Sequence, residues 1–364
     1  MMPKAPGRHL TKEAFLKKFT ATIKASGRSF SVNEDESVLT AALRQGVMLP
    51  YSCKNGTCAS CKGQLLEGDI HYPFHPPMGL DEGEAEAGLA LFCQAAPKSD
   101  LQISVREIAA VKDIPVRMMP ARVIYKDLLS PSVIRLYLRL PKSQRLQFLA
   151  GQYIDILLPD GKRRSFSIAS APHEQEALEL HIRHVDGGGF TGFVFDELQE
   201  KGILRLEGPL GTFFVRNDQP DRPMIMMGGG TGFAPLKSMI EYLLHRKHHR
   251  PIHLYWGAAN LAELYLDELA SGWAAEYSHI TYTPVLSEPE DRDSWSGKTG
   301  FVHQAVLENY PNLSGHDVYM SGPPIMIDVA RHAFMDAGVA ERRLYYDSFE
   351  FAPDVPVSVL AEPH

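Results

Sequence analysis

The sequence predicts a multidomain chain of three modules: an α+β module, an antiparallel strand-rich module that reads as a small β-barrel, and an α/β module on a parallel sheet. Three observations predict it. The chain has 364 residues, well beyond one ordinary domain. Its hydrophobic rhythm changes twice, near residues 116 and 219. All its cysteines, Cys53, Cys58, Cys61 and Cys93, fall in the first block.

In the first block, Phe19-Thr20-Ala21-Thr22-Ile23 alternates like a half-buried strand, and Phe30-Ser31-Val32 can pair back across Ser26-Gly27-Arg28. Ser37 to Leu43 has helical spacing, with Gly46 as its stop, and Leu101 to Val105 closes the block as another strand. After a linker containing Asp113, Ile114 and Pro115, Ser132 to Leu138 and Leu178 to Arg183 alternate cleanly, divided by turn signals such as Pro159-Asp160-Gly161. In the third block, apolar runs at 224–227, 253–256 and 318–320 alternate with helical stretches at 236–244 and 325–337. That is the pattern of a parallel sheet covered on both faces. The expected boundaries are 1–18 for a basic tail, 19–108, 116–218 and 219–352 for the modules, and 353–364 for a loose tail.

Hydrophobic residues at 44% and charged residues at 22% give ample core. The net charge of -7 argues against nucleic-acid binding, which needs a clustered positive face. No stretch has the length and apolarity of a membrane span. Lys4, Arg8, Lys12, Lys17 and Lys18 are followed by no apolar segment, so they do not read as a secretory signal. A cytoplasmic location is the expectation. His248 and His249, with no cysteine or carboxylate beside them, read as an exposed turn.

Cys53-x4-Cys58-x2-Cys61, with Cys93 thirty-two positions later, has the spacing of a plant-type [2Fe-2S] cluster. Three thiolates converge from one loop, so the loop must fold tightly; Gly56 supplies freedom, and the small Ala59 and Ser60 let amides approach sulfur. Zinc is the alternative, but structural zinc commonly uses paired knuckles, and here the second half offers Cys93 alone. The block resembles the plant-type ferredoxin domain, which implies a β-grasp fold with Cys53, Cys58, Cys61 and Cys93 as ligands.

Arg164-Ser165-Phe166-Ser167-Ile168-Ala169-Ser170 fits R-x-[FY]-S-x-x-S, and Gly188-Gly189-Phe190-Thr191 follows about twenty residues on. In this order, inside a strand-rich block, they resemble the FAD domain of the ferredoxin–NAD(P) reductase superfamily. A guanidinium suits a pyrophosphate, and amides after Gly188, at the start of a helical stretch from Phe190 to Leu198, suit the other phosphate. The resemblance implies that Arg164, Ser165, Phe166, Ser167, Gly188, Gly189 and Thr191 bind FAD. Phe166 would stack on the isoalloxazine, and Ser167 would hydrogen-bond flavin N5. Gly208-Pro209-Leu210-Gly211 matches the family's closing turn and reads as structural.

Met224 to Gly228, then Gly229-Gly230-Thr231-Gly232-Phe233-Ala234-Pro235, is a strand, a glycine turn and a helix start, the arrangement a pyrophosphate needs. It resembles the same superfamily, as does Ser321-Gly322-Pro323-Pro324, where Ser321 stands in the place of the family's usual cysteine. The resemblance implies nicotinamide contacts at Gly229, Gly230, Thr231, Gly232, Ser321, Gly322 and Pro323. Tyr265 and Ser287 are ligand-side positions, with core packing an equal reading for Tyr265. The adenosine 2′-position should lie near Ala258-Ala259-Asn260, and the segment from Pro251 to Asp291 holds no Lys or Arg. A 2′-phosphate would go unpaired there, so NADH is expected over NADPH.

NADH delivers two electrons as hydride, a [2Fe-2S] cluster accepts one at a time, and FAD can do both. The order of modules resembles reductase components of ring-oxygenase systems and the CDP-6-deoxy-3,4-glucoseen reductases. The resemblance implies electron flow from NADH through FAD and the cluster to a partner oxygenase or CDP-sugar dehydratase. The alternative is a redox-sensing or interaction subunit with little turnover. Ser167, Ser321 and Asp347, the last within Tyr345-Tyr346-Asp347-Ser348-Phe349, are the catalytic candidates. Lys54, beside the cluster, is a docking candidate or a solvated lysine.

Overall fold

The computed structural model describes residues 17–111 and 113–349; most of the expected basic tail and all of the 353–364 tail lie outside them. The chain divides into two compact units, 1–112 and 113–364.

In the first unit, β1 (Lys18–Ile23) and β2 (Ser29–Asn33) form the expected hairpin, with Phe19 opposite Val32 and Ala21 opposite Phe30. α1 (Val38–Arg44) follows. It starts where the Ser37 hydroxyl accepts the Thr40 amide at 3.2 Å, and buries Val38, Leu39, Ala41 and Ala42. Gly46, at φ 73°, turns the chain out. Then come β3 (Lys62–Glu67), β4 (Ile70–His71), α2 (Glu82–Glu86), β5 (Leu89–Leu91), β6 (Ala96–Pro97) and β7 (Leu101–Ser104). The sheet order is β2-β1-β7-β3-β5, with the unit's last strand, β7, parallel to its first through Ala21 and Leu101. This is the β-grasp arrangement, sealed by Ile23, Val32, Leu39, Leu49, Leu91 and Ile103.

The second unit holds two sheets. β8 (Arg117–Ser130), β9 (Val133–Arg139), β10 (Tyr153–Leu157), β11 (Arg163–Ser167), β12 (Leu178–Arg183) and β13 (Ile203–Leu210) form an antiparallel sheet in the order β11-β10-β13-β8-β9-β12. The ladders do not close into a full barrel. The two edges meet at one bridge, Ile168 to Leu180, because the chain leaving β11 turns along β12 and donates the Ala169 amide to the Glu179 carbonyl at 2.8 Å. Leu136, Ile154, Ile156, Leu180 and Leu206 fill the interior. Between β12 and β13, the expected helix from Phe190 to Leu198 is one α turn, α3 (Gly189–Gly192), followed by a π-helical segment at Phe193–Glu197.

The second sheet is all parallel. β14 (Met224–Gly229), α4 (Phe233–His245), β15 (Ile252–Ala258), α5 (Asp267–Glu276), β16 (Ile280–Leu286), β17 (Lys298–Thr299), α6 (Val302–Asn309), β18 (Asp317–Gly322), α7 (Pro324–Asp336) and β19 (Leu344–Ser348) pair in the order β17-β16-β15-β14-β18-β19. Every residue of β14 is buried, as a central strand covered on both faces requires. One apolar cluster gathers Leu236, Ile240, Trp256 and Trp273; the other gathers Ile225, Val306, Val318 and Phe334. The chain steps outward on one side of β14 through β15, β16 and β17, then returns through α6 to β18 on the other side and on to β19, so the order reverses between β14 and β18. The carboxyl ends of those two strands therefore flank the crevice where open α/β sheets bind ligands.

Candidate functional site

The cysteine loop is held by backbone that few residues adopt. Lys54, Gly56 and Ala59 all have positive φ, at 61°, 87° and 58°. A Cβ on Gly56 would lie 2.8 Å from Pro77 Cβ, so glycine is required there twice over. The sulfurs fall into two pairs. The Cys58 amide donates to Cys53 Sγ at 3.4 Å, the Cys53 amide to Cys58 Sγ at 3.5 Å and the Thr57 hydroxyl to Cys53 Sγ at 3.6 Å. Hydrogen bonding to Cys58 brings the Cys53 thiol down to about 5. Cys53 and burial push Cys58 well up, and Cys93 and burial do the same to Cys61. Cys58, Cys61 and Cys93 are buried; Cys53 is half-buried. Among the described residues, no group of three or more His, Cys, Asp or Glu gathers around a point for one metal ion. Cys53 with Cys58 and Cys61 with Cys93 instead present two neighbouring pairs of thiols, a donor set that fits a two-iron cluster. Lys54 is half-buried, its ammonium 4.9 Å from the Tyr51 ring centre and its carbonyl accepting from Gln94 Nε2 at 2.7 Å.

The second site lies in the second unit. Strand alternation turns neighbouring residues of β11 to opposite faces. Phe166 packs against the antiparallel sheet's core, its ring 5.6 Å from Phe190. Ser165 donates to Asp155 Oδ1 at 2.6 Å, and Arg164, half-buried, donates to the Arg163 carbonyl at 2.9 Å. Ser167, buried, donates to Asp347 Oδ2 at 3.2 Å across 180 positions of sequence. Asp347 stands opposite Ser321 in the β18–β19 ladder, and Ser321 stands opposite Gly228 in the β14–β18 ladder. Ser321 is fully buried, and its hydroxyl has no hydrogen-bond partner among the described residues. An orphaned buried hydroxyl beside a serine–carboxylate pair is a polar corner that fits a flavin's polar edge.

Two glycine turns flank this corner. At the first, Thr191 Oγ1 accepts the Val185 amide at 3.2 Å and donates to the Gly188 carbonyl at 3.1 Å, so Thr191 shapes the loop. Gly189 has open space where a side chain would be. At the second, Gly229 ends β14, and Gly230, at φ 51°, leads through Thr231 and Gly232 into α4. A Cβ on Gly232 would lie 2.0 Å from the Ser321 carbonyl, and one on Gly229 2.6 Å from Met326 Sδ. Gly322 presses on Gly229 in turn, and Pro323 precedes α7. The amides of a helix N-terminus are thus held at the switch point, where a dinucleotide pyrophosphate fits.

Sequence reasoning missed several residues around these turns. The Arg183 guanidinium lies against Gly230 and pairs with Glu263, which accepts from the Ser132 hydroxyl at 2.7 Å. Lys126 caps the π-helical segment, donating to the carbonyls of Val194, Phe195 and Leu198 at 2.9–3.3 Å. Lys237 on α4 bonds Glu179 at 3.0 Å and Glu241 at 2.9 Å, while Glu179 accepts from His181, whose other nitrogen meets Tyr265 Oη at 3.1 Å. Burial alone would raise Glu179, but His181 and Lys237 hold it at about 2. Burial keeps His181 below the ordinary imidazole range and pushes Glu241 up to about 7. Tyr265 also sets its ring edge on Trp256, so it belongs to the packing. Ser287 follows β16, its amide on the Ala258 carbonyl. His248 lies in the α4–β15 turn, accepting the Arg250 amide at 3.3 Å, and His249 meets the His279 ring edge-on.

Three family models match, each over one of these regions: a 2Fe-2S iron-sulfur cluster binding domain at 21–98, an oxidoreductase FAD-binding domain at 120–215 and an oxidoreductase NAD-binding domain at 226–332. The CDP-6-deoxy-L-threo-D-glycero-4-hexulose-3-dehydrase reductase of Yersinia pestis is 40% identical over 324 residues, covering 89% of this chain and 96% of that protein. This chain belongs to the iron-sulfur flavoprotein reductases. The phenol 2-monooxygenase reductase component of a Pseudomonas strain is 38% identical over 342 residues, covering 92% of this chain and 96% of its own. Among solved structures, an Amycolatopsis cytochrome P450 reductase superposes with a TM-score of 0.72 at 33% identity, covering 91% of this chain and 98% of that one. The reductase is an oxidoreductase with [2Fe-2S], FAD and NAD modules that passes electrons to a partner. Among its described residues, no helix is long and apolar enough to cross a membrane.

Proposed function

We propose that this reductase is a cytoplasmic NADH:acceptor oxidoreductase whose hydride site is the corner of Ser167, Asp347 and Ser321. The meeting of Ser167 and Asp347 carries the reading, because it joins the FAD-side strand β11 to the nicotinamide-side strand β19. FAD, when bound, exchanges a hydride's two electrons for the single electrons an iron-sulfur centre takes. The chain's own groups do the rest. Arg164 and the Gly188–Gly189 amides hold the flavin's phosphates, with Ser165 and Thr191 fixing the local backbone and Phe166 lining the ring site. Ser167 donates to Asp347, which keeps the serine hydroxyl oriented, and Ser321 offers the free hydroxyl beside it. The amides from Gly229 to Gly232 take the nicotinamide dinucleotide's pyrophosphate, with Gly322 and Pro323 shaping the opposite wall. Cys53 and Cys58 hold one iron, and Cys61 and Cys93 the other.

The cofactor preference rests on charge. Beyond β15, Asn260 donates to Glu290 at 3.2 Å, the Leu261 amide bonds Asp293, and the Glu288 amide bonds the Ala259 carbonyl. A 2′-phosphate placed there would face carboxylates, which supports NADH. The external acceptor is a partner oxygenase or a CDP-sugar dehydratase, the classes served by the relatives named above. The test is steady-state reduction of ferricyanide and cytochrome c with each nucleotide. A larger kcat/KM with NADPH overturns the cofactor preference. Cytochrome c reduction that persists in Cys93→Ser with the cluster gone overturns the exit route.

A further inference from the structure

We propose that the apolar tip formed by Phe74 and Met78 is where the electron-accepting protein docks, and that the partner face it fits is an apolar recess rimmed by lysine or arginine. The inference rests on the proposed function and adds to it the surface and the partner's chemistry.

Phe74 is 85% exposed and Met78 80%, more than any other large apolar side chain among the described residues; Ile325 follows at 66%. Isolated exposed apolar residues are ordinary, but two such side chains four positions apart on one short segment are not. From Pro77 to Leu80 the segment is fastened from beneath to the cysteine loop. Pro77, between them, is buried against Gly56, and the Gly79 amide donates to the Gly56 carbonyl at 2.9 Å. Gly79 leaves no room for a Cβ, which would lie 2.4 Å from the Thr57 carbonyl. The Leu80 amide closes the turn on the Pro77 carbonyl at 3.2 Å. The tip therefore projects from the backbone that spans Cys53 and Cys58, and a protein seated on it is brought to the cluster loop. Aromatic and thioether side chains held out on a fixed loop are suited to fill a partner's recess at the centre of an interface.

The charge around the tip selects the partner. Three residues after Met78 the chain enters Asp81-Glu82-Gly83-Glu84-Ala85-Glu86, of which Asp81, Glu82 and Glu86 are exposed. The nearby cations are engaged: Lys62 is ion-paired to Glu84, and Lys54 lies over the Tyr51 ring. An apolar centre with an acidic rim steers toward a basic surface.

The probe is oxidised horse-heart-type cytochrome c, a basic protein with an exposed haem edge. Its binding to oxidised holoprotein is measured by titration calorimetry at low salt, so the readout is association and not turnover. Phe74→Ala/Met78→Ala and, separately, Asp81→Asn/Glu82→Gln/Glu86→Gln should each raise Kd at least tenfold. The loss in the acidic-rim variant should shrink as salt rises. An unchanged visible spectrum and unchanged ferricyanide reduction show that the variants are folded and loaded. A Kd within twofold of the parent in either variant overturns the proposal. Failure of the parent protein to reduce cytochrome c with NADH would instead overturn the proposed function, so the two failures are distinct.

Discussion

The two glycine turns of the second unit, each proposed to hold a phosphate, are closed by different means. The turn from Gly229 to Gly232 is shut by backbone at its helix end: Ser321 and Gly322 press so close on Gly232 that no Cβ fits there, and a 13-residue helix, α4, continues from it. The loop at Gly188 is shut by side chains: Thr191 ties its ends, Lys126 caps the far end, and only one α turn follows before the π-helical segment. Close packing makes the first turn intolerant of any added atom. Hydrogen bonding leaves the second adjustable, since each bond contributes about 1 kcal/mol and can be replaced. The nicotinamide side is therefore expected to be rigid, and the flavin loop to tolerate change.

The largest test of that contrast is Gly232→Ala. The added methyl must displace the Ser321 carbonyl, so a loss of about 3 kcal/mol or more is expected, together with loss of NADH binding, read by thermal unfolding and nucleotide titration. Next comes Glu241, on the helix that leaves this turn. Its folded-state carboxyl titrates at about 7, against 4.5 in the unfolded chain. The stability it contributes is complete below pH 4.5 and is lost as pH rises from there through about 7, a change on the order of 3 kcal/mol. Glu241→Gln should flatten the fall in Tm between about pH 4.5 and 7; an unchanged slope would remove Glu241 as its source.

On the flavin side, Lys126→Met removes three carbonyl caps from the π-helical segment and should cost about 1–2 kcal/mol, with faster FAD loss on dilution. Thr191→Val keeps the shape but loses the loop's ties, at about 1 kcal/mol. Gly189→Ala, into open space, should change Tm by the equivalent of less than about 0.5 kcal/mol. If Gly189→Ala proved as damaging as Gly232→Ala, the distinction between the two turns would fail.

The strand Leu178 to Arg183 shows where reading by pattern stops. Its alternation is plain in sequence, and alternation ordinarily sends the polar face to water. Here the polar face carries Glu179 and His181, and both are buried, Glu179 against Lys237 of α4 and His181 against Tyr265 ahead of α5. Nothing local in Glu-Leu-His distinguishes a solvated face from one covered by a later module. The same holds for Arg183, which reaches Gly230, 47 positions on. The Phe190 to Leu198 stretch likewise looks helical, yet its π-helical turn depends on Lys126, which comes from β8.

By itself, the sequence determined the chemistry that short spacing controls. Nine residues from Cys53 to Cys61 confine three thiols to one loop, and a strand–glycine–helix run makes an amide cradle wherever it folds. It also determined most of the element types, because apolar periodicity is local; the π-helical segment is the exception. Only the tertiary structure decided that Ser167, Ser321 and Asp347 share a corner, since strand order and register set which distant side chains meet. It decided, too, that Phe74 and Met78 stay outside the core, because hydrophobicity states what burial is worth and not whether the fold has room to grant it.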